Sequence, residues 1–215
     1  MASGAGPYAS PSMDEIAPDI DGWATAHGFT EAEWAPAGRT PLLREGVFDV
    51  AGSCYDGTVD DRDVVLAEYS IGSPGATELI GGGGVDSDWF TLILVEIADT
   101  GYRRLTIHPH GIGDRDWWNR LRGRDSRRET GDEAFDDGHQ VIASSDLDDA
   151  EFGRLIDALR AVLAGLPDLL IEVEQDSDSD VTSLLVALPG IGIEDERLNA
   201  LHAAFGQALA VLDPA

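Results

Sequence analysis

The residues best suited to chemistry lie between positions 103 and 128. That stretch holds eight of the 14 Arg and three Asp, for a local formal charge of +5. Within it Arg115, Trp117, Trp118, Arg120, Arg122 and Arg124 combine guanidinium forks with indole rings. Forks grip carboxylates and phosphates bidentately, and aromatic rings beside them add stacking. Residues 114–122 can form two helical turns, with Trp117, Trp118 and Leu121 on an apolar face. The pattern points to docking of an acidic protein segment or a phosphorylated small molecule. The competing reading is internal: the tryptophans plug the edge of a core, and the arginines pair with Asp132, Glu133, Asp136 and Asp137.

Other motifs are thinner. His108 and His110, with Asp114, Asp116 and His139, include metal-ligand types, but no further His or Glu completes a zinc spacing. The alternative is that these are exposed loop histidines. Asp99-Thr100-Gly101 follows an apolar strand, as the catalytic triplet of aspartic proteases does. That chemistry needs two carboxylates sharing a proton, and the chain has a single triplet. A hairpin turn with Gly101 in the left-handed conformation accounts for it as well. Gly81–Gly84 could cradle a phosphate, yet a phosphate-binding loop of the Walker type needs a Lys, and the chain has none. Asp176, Asp178 and Asp180 match the first three oxygen positions of a calcium loop, but Val181 and Ala187 fall where Gly and Glu belong. Cys54, beside Asp56, reads as a structural thiol. No cofactor is expected.

Outside residues 103–128 the chain is strongly acidic. The 215 residues carry a net charge of −27, with 41 Asp and Glu, so the remainder stands at −32. Such a surface repels phosphates, which argues against nucleic acid and anionic membranes as partners. A single Cys rules out an intramolecular disulfide and multi-cysteine metal centres. The N-terminus has neither a basic nor an apolar signal region. The apolar run 89–95 is far short of the roughly 20 residues of a membrane helix. The expectation is a soluble, cytoplasmic protein from a GC-rich genome, actinobacterial or haloarchaeal.

The elements that must position these residues are legible in the hydrophobic pattern. Residues 1–12 read as a disordered tail and 13–215 as a single α+β domain. A helix over 13–29 carries Ile20, Trp23 and His27 on one face and ends at Gly28, with Phe29 folding back on it. A first strand runs from Val47 toward Cys54, and Asp56-Gly57 signals a turn. Strands follow over 63–71 and 89–97, the latter apolar on both faces and therefore central. Asp99-Thr100-Gly101 then turns into a return strand over 102–108. Residues 134–144 read as a strand. Ser145 or Asp146 caps a helix whose stripe is Phe152, Leu155, Ile156, Leu159, Val162, Leu163 and Leu166. Leu169, Ile171 and Val173 alternate with Glu172 and Glu174 in a half-buried strand, paired with 181–188. A last helix starts among Glu194, Asp195 and Glu196. The fold class is α+β: a largely antiparallel sheet with N-terminal, middle and C-terminal helices packed on it.

Several of these residues share a pattern with one family. They are Trp23 with Gly28 and Phe29; Pro41, Leu42 and Gly46; Gly52 and Gly57; Tyr69; Phe135 with Asp136; and Val141 and Asp146. Over about residues 20–212 the chain resembles an uncharacterised family of actinobacterial proteins with no assigned activity. The resemblance implies architecture and no catalytic residue. His139 stands where that family carries an aromatic, which would loosen packing there.

Three functions remain open. The first is a non-catalytic interaction or ligand-binding domain using the Arg/Trp stretch. The second is a hydrolase using carboxylates, with metal assistance near His108 and His110. The third is an acidic mimic of nucleic acid.

Overall fold

The computed structural model describes residues 20–32, 47–72, 88–110, 126–176, 180–190 and 193–213. In chain order these form α1 (Asp21–Ala26), β1 (Thr30–Glu31), β2 (Val47–Val59), β3 (Arg62–Gly72), β4 (Asp88–Ile97) and β5 (Arg104–Pro109). Then come β6 (Ser126–Arg127), α2 (Glu133–Gly138), β7 (His139–Ala143), α3 (Asp149–Gly165), β8 (Leu170–Gln175), β9 (Thr182–Pro189) and α4 (Asp195–Leu212). The strands make one sheet in the order β1-β2-β3-β4-β9-β8-β5-β7-β6. Every neighbouring pair is antiparallel. This is the α+β architecture that the hydrophobic pattern predicts.

Helices α1, α3 and α4 share one core with one face of the sheet. The i, i+3, i+4 spacing of α3 puts Phe152, Leu155, Ile156, Leu159, Val162 and Leu163 on a buried stripe. Leu198, Leu201, Phe205, Leu209 and Leu212 do the same for α4. Gly28, at φ 81°, ends the first helical stretch in the left-handed conformation. Phe29 turns back, buried, with its ring centroid 6.0 Å from that of Trp23.

Five local expectations are corrected. First, β2 continues through Asp56-Gly57. The two-residue turn is Asp60-Asp61, both at positive φ (49° and 62°), closed by the Val59–Arg62 pair. This is the backbone that a tight hairpin demands. Gly57 has another reason to be glycine: a Cβ there would lie 2.7 Å from Cγ and Cε1 of Phe29.

Second, Asp99-Thr100-Gly101 is no hairpin. β4 pairs with β3 and β9, while β5 pairs with β7 and β8. The later β8–β9 hairpin inserts between them. Gly101 is left-handed as expected, at φ 76°, and its N–H donates to Asp99 Oδ1 at 2.9 Å.

Third, 134–144 begins as a helix. The Asp132 carboxylate accepts from the N–H groups of Ala134 and Phe135 and starts α2. Fourth, α3 is capped by Asp148, which accepts from Glu151 N at 2.9 Å. Of the two expected caps, Asp146 instead accepts from the Ser144 hydroxyl. Fifth, β8 is buried on both faces, so Glu172 and Glu174 lie inside, at 1% and 7% exposure. His139 also keeps the packing it was expected to loosen. Its ring stacks on Phe135 at 4.7 Å, filling an aromatic's place.

Candidate functional site

Strand register decides which residues share the sheet face away from α1, α3 and α4. One row across it reads Asp56, Val65, Leu94, Leu185, Glu172, Thr106, Ile142. Among the described residues no helix lies on this face. Its middle is apolar, with Cys54, Ala67, Tyr69, Phe90, Leu92, Leu170 and Ala187 buried together. Burial first and the Asp56 charge second push the Cys54 thiol up to about 11, so it stays protonated, as a structural Cys should. Burial also raises the Tyr69 phenol.

Toward β5 the face turns polar while staying buried. Arg104 Nη2 reaches Glu174 Oε1 at 2.8 Å. Glu172, Thr106, His108 and Gln140 are all buried beside this pair. Charges inside a protein persist when paired, and the Arg104–Glu174 contact supplies that pairing.

At the opposite end, the tip of β2–β3 and the end of β4 bound a hollow of about 660 Å³. Its lining includes Val65 and Leu94 as an apolar floor, with Asp56, Asp61, Asp63 and Glu96 around it. Asp56 pairs with Val65, which pairs with Leu94. Asp63 and Glu96 are the next positions after the Val64–Val95 pair, so two carboxylates face each other on neighbouring strands. Like charges directly opposite cost stability in a sheet. Arg62, also in the lining, is engaged elsewhere, 2.6 Å from Asp213 Oδ2. The hollow can therefore receive a cation that carries apolar atoms.

The residues singled out from the sequence fare differently. Arg115, Trp117, Trp118, Arg120, Arg122 and Arg124 lie outside the described residues, as do Asp114, Asp116 and Gly81–Gly84. The arginines flanking them are described. Arg103 is 3.3 Å from Asp146, Arg104 holds Glu174, and Arg128 is 2.5 Å from Asp149 and lies over the Phe152 ring at 3.9 Å. These arginines are used internally, but with acids other than the four expected. The intervening residues 111–125 hold four Arg against three Asp, so much of the +5 is neutralised inside the fold.

His108 and His110 are not brought together. His108 is fully buried on the polar band. His110 is exposed, with Nε2 2.9 Å from the Asp136 carbonyl oxygen. Among the described residues no three ligand-type side chains stand close enough to hold a metal. No described helix is long and apolar enough to cross a membrane. Comparison of the chain with protein-family models, curated proteins and solved structures finds no match.

Sequence reasoning passed over the hollow. Asp56, Asp63 and Glu96 look like ordinary solvated acids in an acidic chain. The alternation with Val65 and Leu94 was the available signal, but only the register makes neighbours of Asp63 and Glu96, about 30 positions apart.

Proposed function

We propose that the chain is a non-catalytic, soluble cytoplasmic binding domain, and that the hollow between β2–β3 and β4 is where it takes a cationic ligand, a basic peptide segment with an aliphatic neighbour. The observation that carries this reading is the hollow itself, with Asp56, Asp61, Asp63 and Glu96 around an apolar floor of Val65 and Leu94. A sheet that keeps like charges opposed gives up stability, and such local conflicts concentrate at sites kept for function. A guanidinium or ammonium group would meet this acidic lining, and Val65 and Leu94 would receive the side chain beside it. The resemblance to the actinobacterial family belongs to this proposal as a statement of architecture.

The test is titration of a short Arg- and Leu-containing peptide, followed by backbone amide chemical shifts. Shifts should centre on residues 56–65 and 94–96. Joint replacement Asp63→Asn and Glu96→Gln should weaken binding about tenfold, the scale of one lost charge contact. Asp157→Asn on the outer face of α3 should leave it unchanged. Equal weakening by both would mean diffuse attraction to an acidic protein and would end the proposal.

A second reading rests on the Arg/Trp stretch, in which Trp117 and Trp118 stand among Arg115, Arg120, Arg122 and Arg124. Its ligand would be an acidic segment or a phosphorylated small molecule. Joint replacement of Arg120, Arg122 and Arg124 should then abolish capture of a phosphorylated peptide with the fold intact; unchanged capture excludes it.

A further inference from the structure

Residues 20–32 are fastened to the rest of the fold at a place that titrates. Trp23 Nε1 donates to Asn199 Oδ1 of α4 at 2.9 Å. The Trp23 ring meets His202, also on α4, edge to face at 5.8 Å, and Phe29 approaches the same imidazole at 6.4 Å. His27, just past α1, stacks on Trp23 at 4.0 Å, and its centroid is 6.0 Å from that of His202. One turn further along α4, a Cβ placed on Gly206 would lie 3.5 Å from the Asp60 carboxylate of the β2–β3 turn.

We propose that residues 20–32 form an acid-released clasp: protonation of His202 parts α1 from α4 and, with it, β1 from β2.

The contacts sort into two kinds. The stack of His27 on Trp23, and the 2.8 Å approach of its Nδ1 to the Trp23 carbonyl oxygen, join residues of one helix end. They survive whether the clasp is closed or open and favour neither state. The contacts to His202 exist only when it is closed. Closed, His202 is half-buried and faces a second imidazole; Asp60 is the charged group that opposes their effect. Burial first, then His27, holds its pKa below the ordinary 6.5. Released, the His202 imidazole returns to water and loses the burial that disfavours its proton. The open state therefore binds more protons below about pH 6.5, so closure is complete above that pH and is lost as the pH falls.

Opening uncovers a defined surface. Thr30 and Glu31 leave Asp56 and Tyr55, and Ala32 N leaves the Cys54 carbonyl, now 2.8 Å away. The edge of β2 is then free to accept a strand from another chain. Asp56 and Gly57 also line the hollow, so the clasp and the hollow share a wall.

Amide hydrogen exchange on the full chain, corrected for intrinsic rates, tests this from about pH 7.5 to about pH 5. Amides of residues 23–32 should lose protection as the pH falls, while those of β8 and β9 keep theirs. The double variant His27→Gln, His202→Gln should flatten the response, and Asp60→Asn should move it to higher pH. Burial also lowers the pKa of His139, so acid weakens the fold as a whole by the same linkage. A parallel run in the His139→Phe background separates the two. The proposal fails if residues 23–32 are insensitive to pH, open in step with β8–β9, respond unchanged in the double variant, or stop responding in His139→Phe.

Discussion

On the helix-covered face, one row of the sheet reads Leu66, Ile93, Val186, Ile171, Ile107, Val141. On the other face, the neighbouring row reads Val65, Leu94, Leu185, Glu172, Thr106, Ile142. The strands are the same and so is their order; only the parity of the residue differs. The first face buries hydrocarbon against three helices and is the main source of stability. The second buries charge at β8 and β5 and leaves carboxylates facing each other at β3 and β4. Hydrocarbon packing and charge are thus carried on opposite sides of one sheet, and the proposed site belongs to the charged side.

The comparison breaks most visibly if the helix face is not the stabilising one. Phe205 is fully buried among α4, α3 and the sheet. Phe205→Ala should lower unfolding free energy by about 3–5 kcal/mol, from lost burial plus the cavity left behind. Urea denaturation at constant m-value checks it. A loss below about 1 kcal/mol would place the core elsewhere.

The buried ion pair on the second face makes the next largest effect. Glu174→Ala removes the 2.8 Å contact to Arg104, whose side chain is 16% exposed. The expected cost is about 3 kcal/mol, at the low end for a buried pair because Arg104 still reaches some water. Arg104→Met with Glu174→Leu should cost much less, since the apolar pair carries no desolvation penalty. If the double variant is worse than Glu174→Ala, the pair contributes net stability and the contrast between the faces weakens.

Much of this was legible in the sequence, for reasons specific to each element. The stripe of α3 and the apolar run of β4 carry a strong period, so their existence and their central, buried place follow from pattern alone. The β8 alternation misleads because period two by itself implies one wet face. Glu172 and Glu174 keep that period, yet both faces of β8 are covered. Asp99-Thr100-Gly101 misled because turn chemistry reports a local bend and not the partner of the next strand. The pairing of β4 with β9, some 90 residues later, is a tertiary fact. The hollow was invisible for the same reason: each acid is ordinary, and only register opposes them.

The smallest effect gives the sharpest comparison. Asp63 and Glu96 face each other across β3 and β4, so Asp63→Asn removes one like-charge contact without changing shape. Stability should rise by about 0.2–1 kcal/mol at low ionic strength. The gain should shrink at about 1 M salt, where the Debye length falls to roughly 3 Å. Asp157→Asn should not stabilise, because Asp157 pairs with Arg160 at 3.4 Å on α3. Thermal unfolding of the two variants at both salt levels separates local repulsion from the general strain of a −27 chain. A gain at Asp63 alone, erased by salt, means the sheet holds a repulsion that a bound cation would relieve. Equal gains at both positions mean the hollow is one more acidic surface, and the second face is then distinguished only by its buried ion pair.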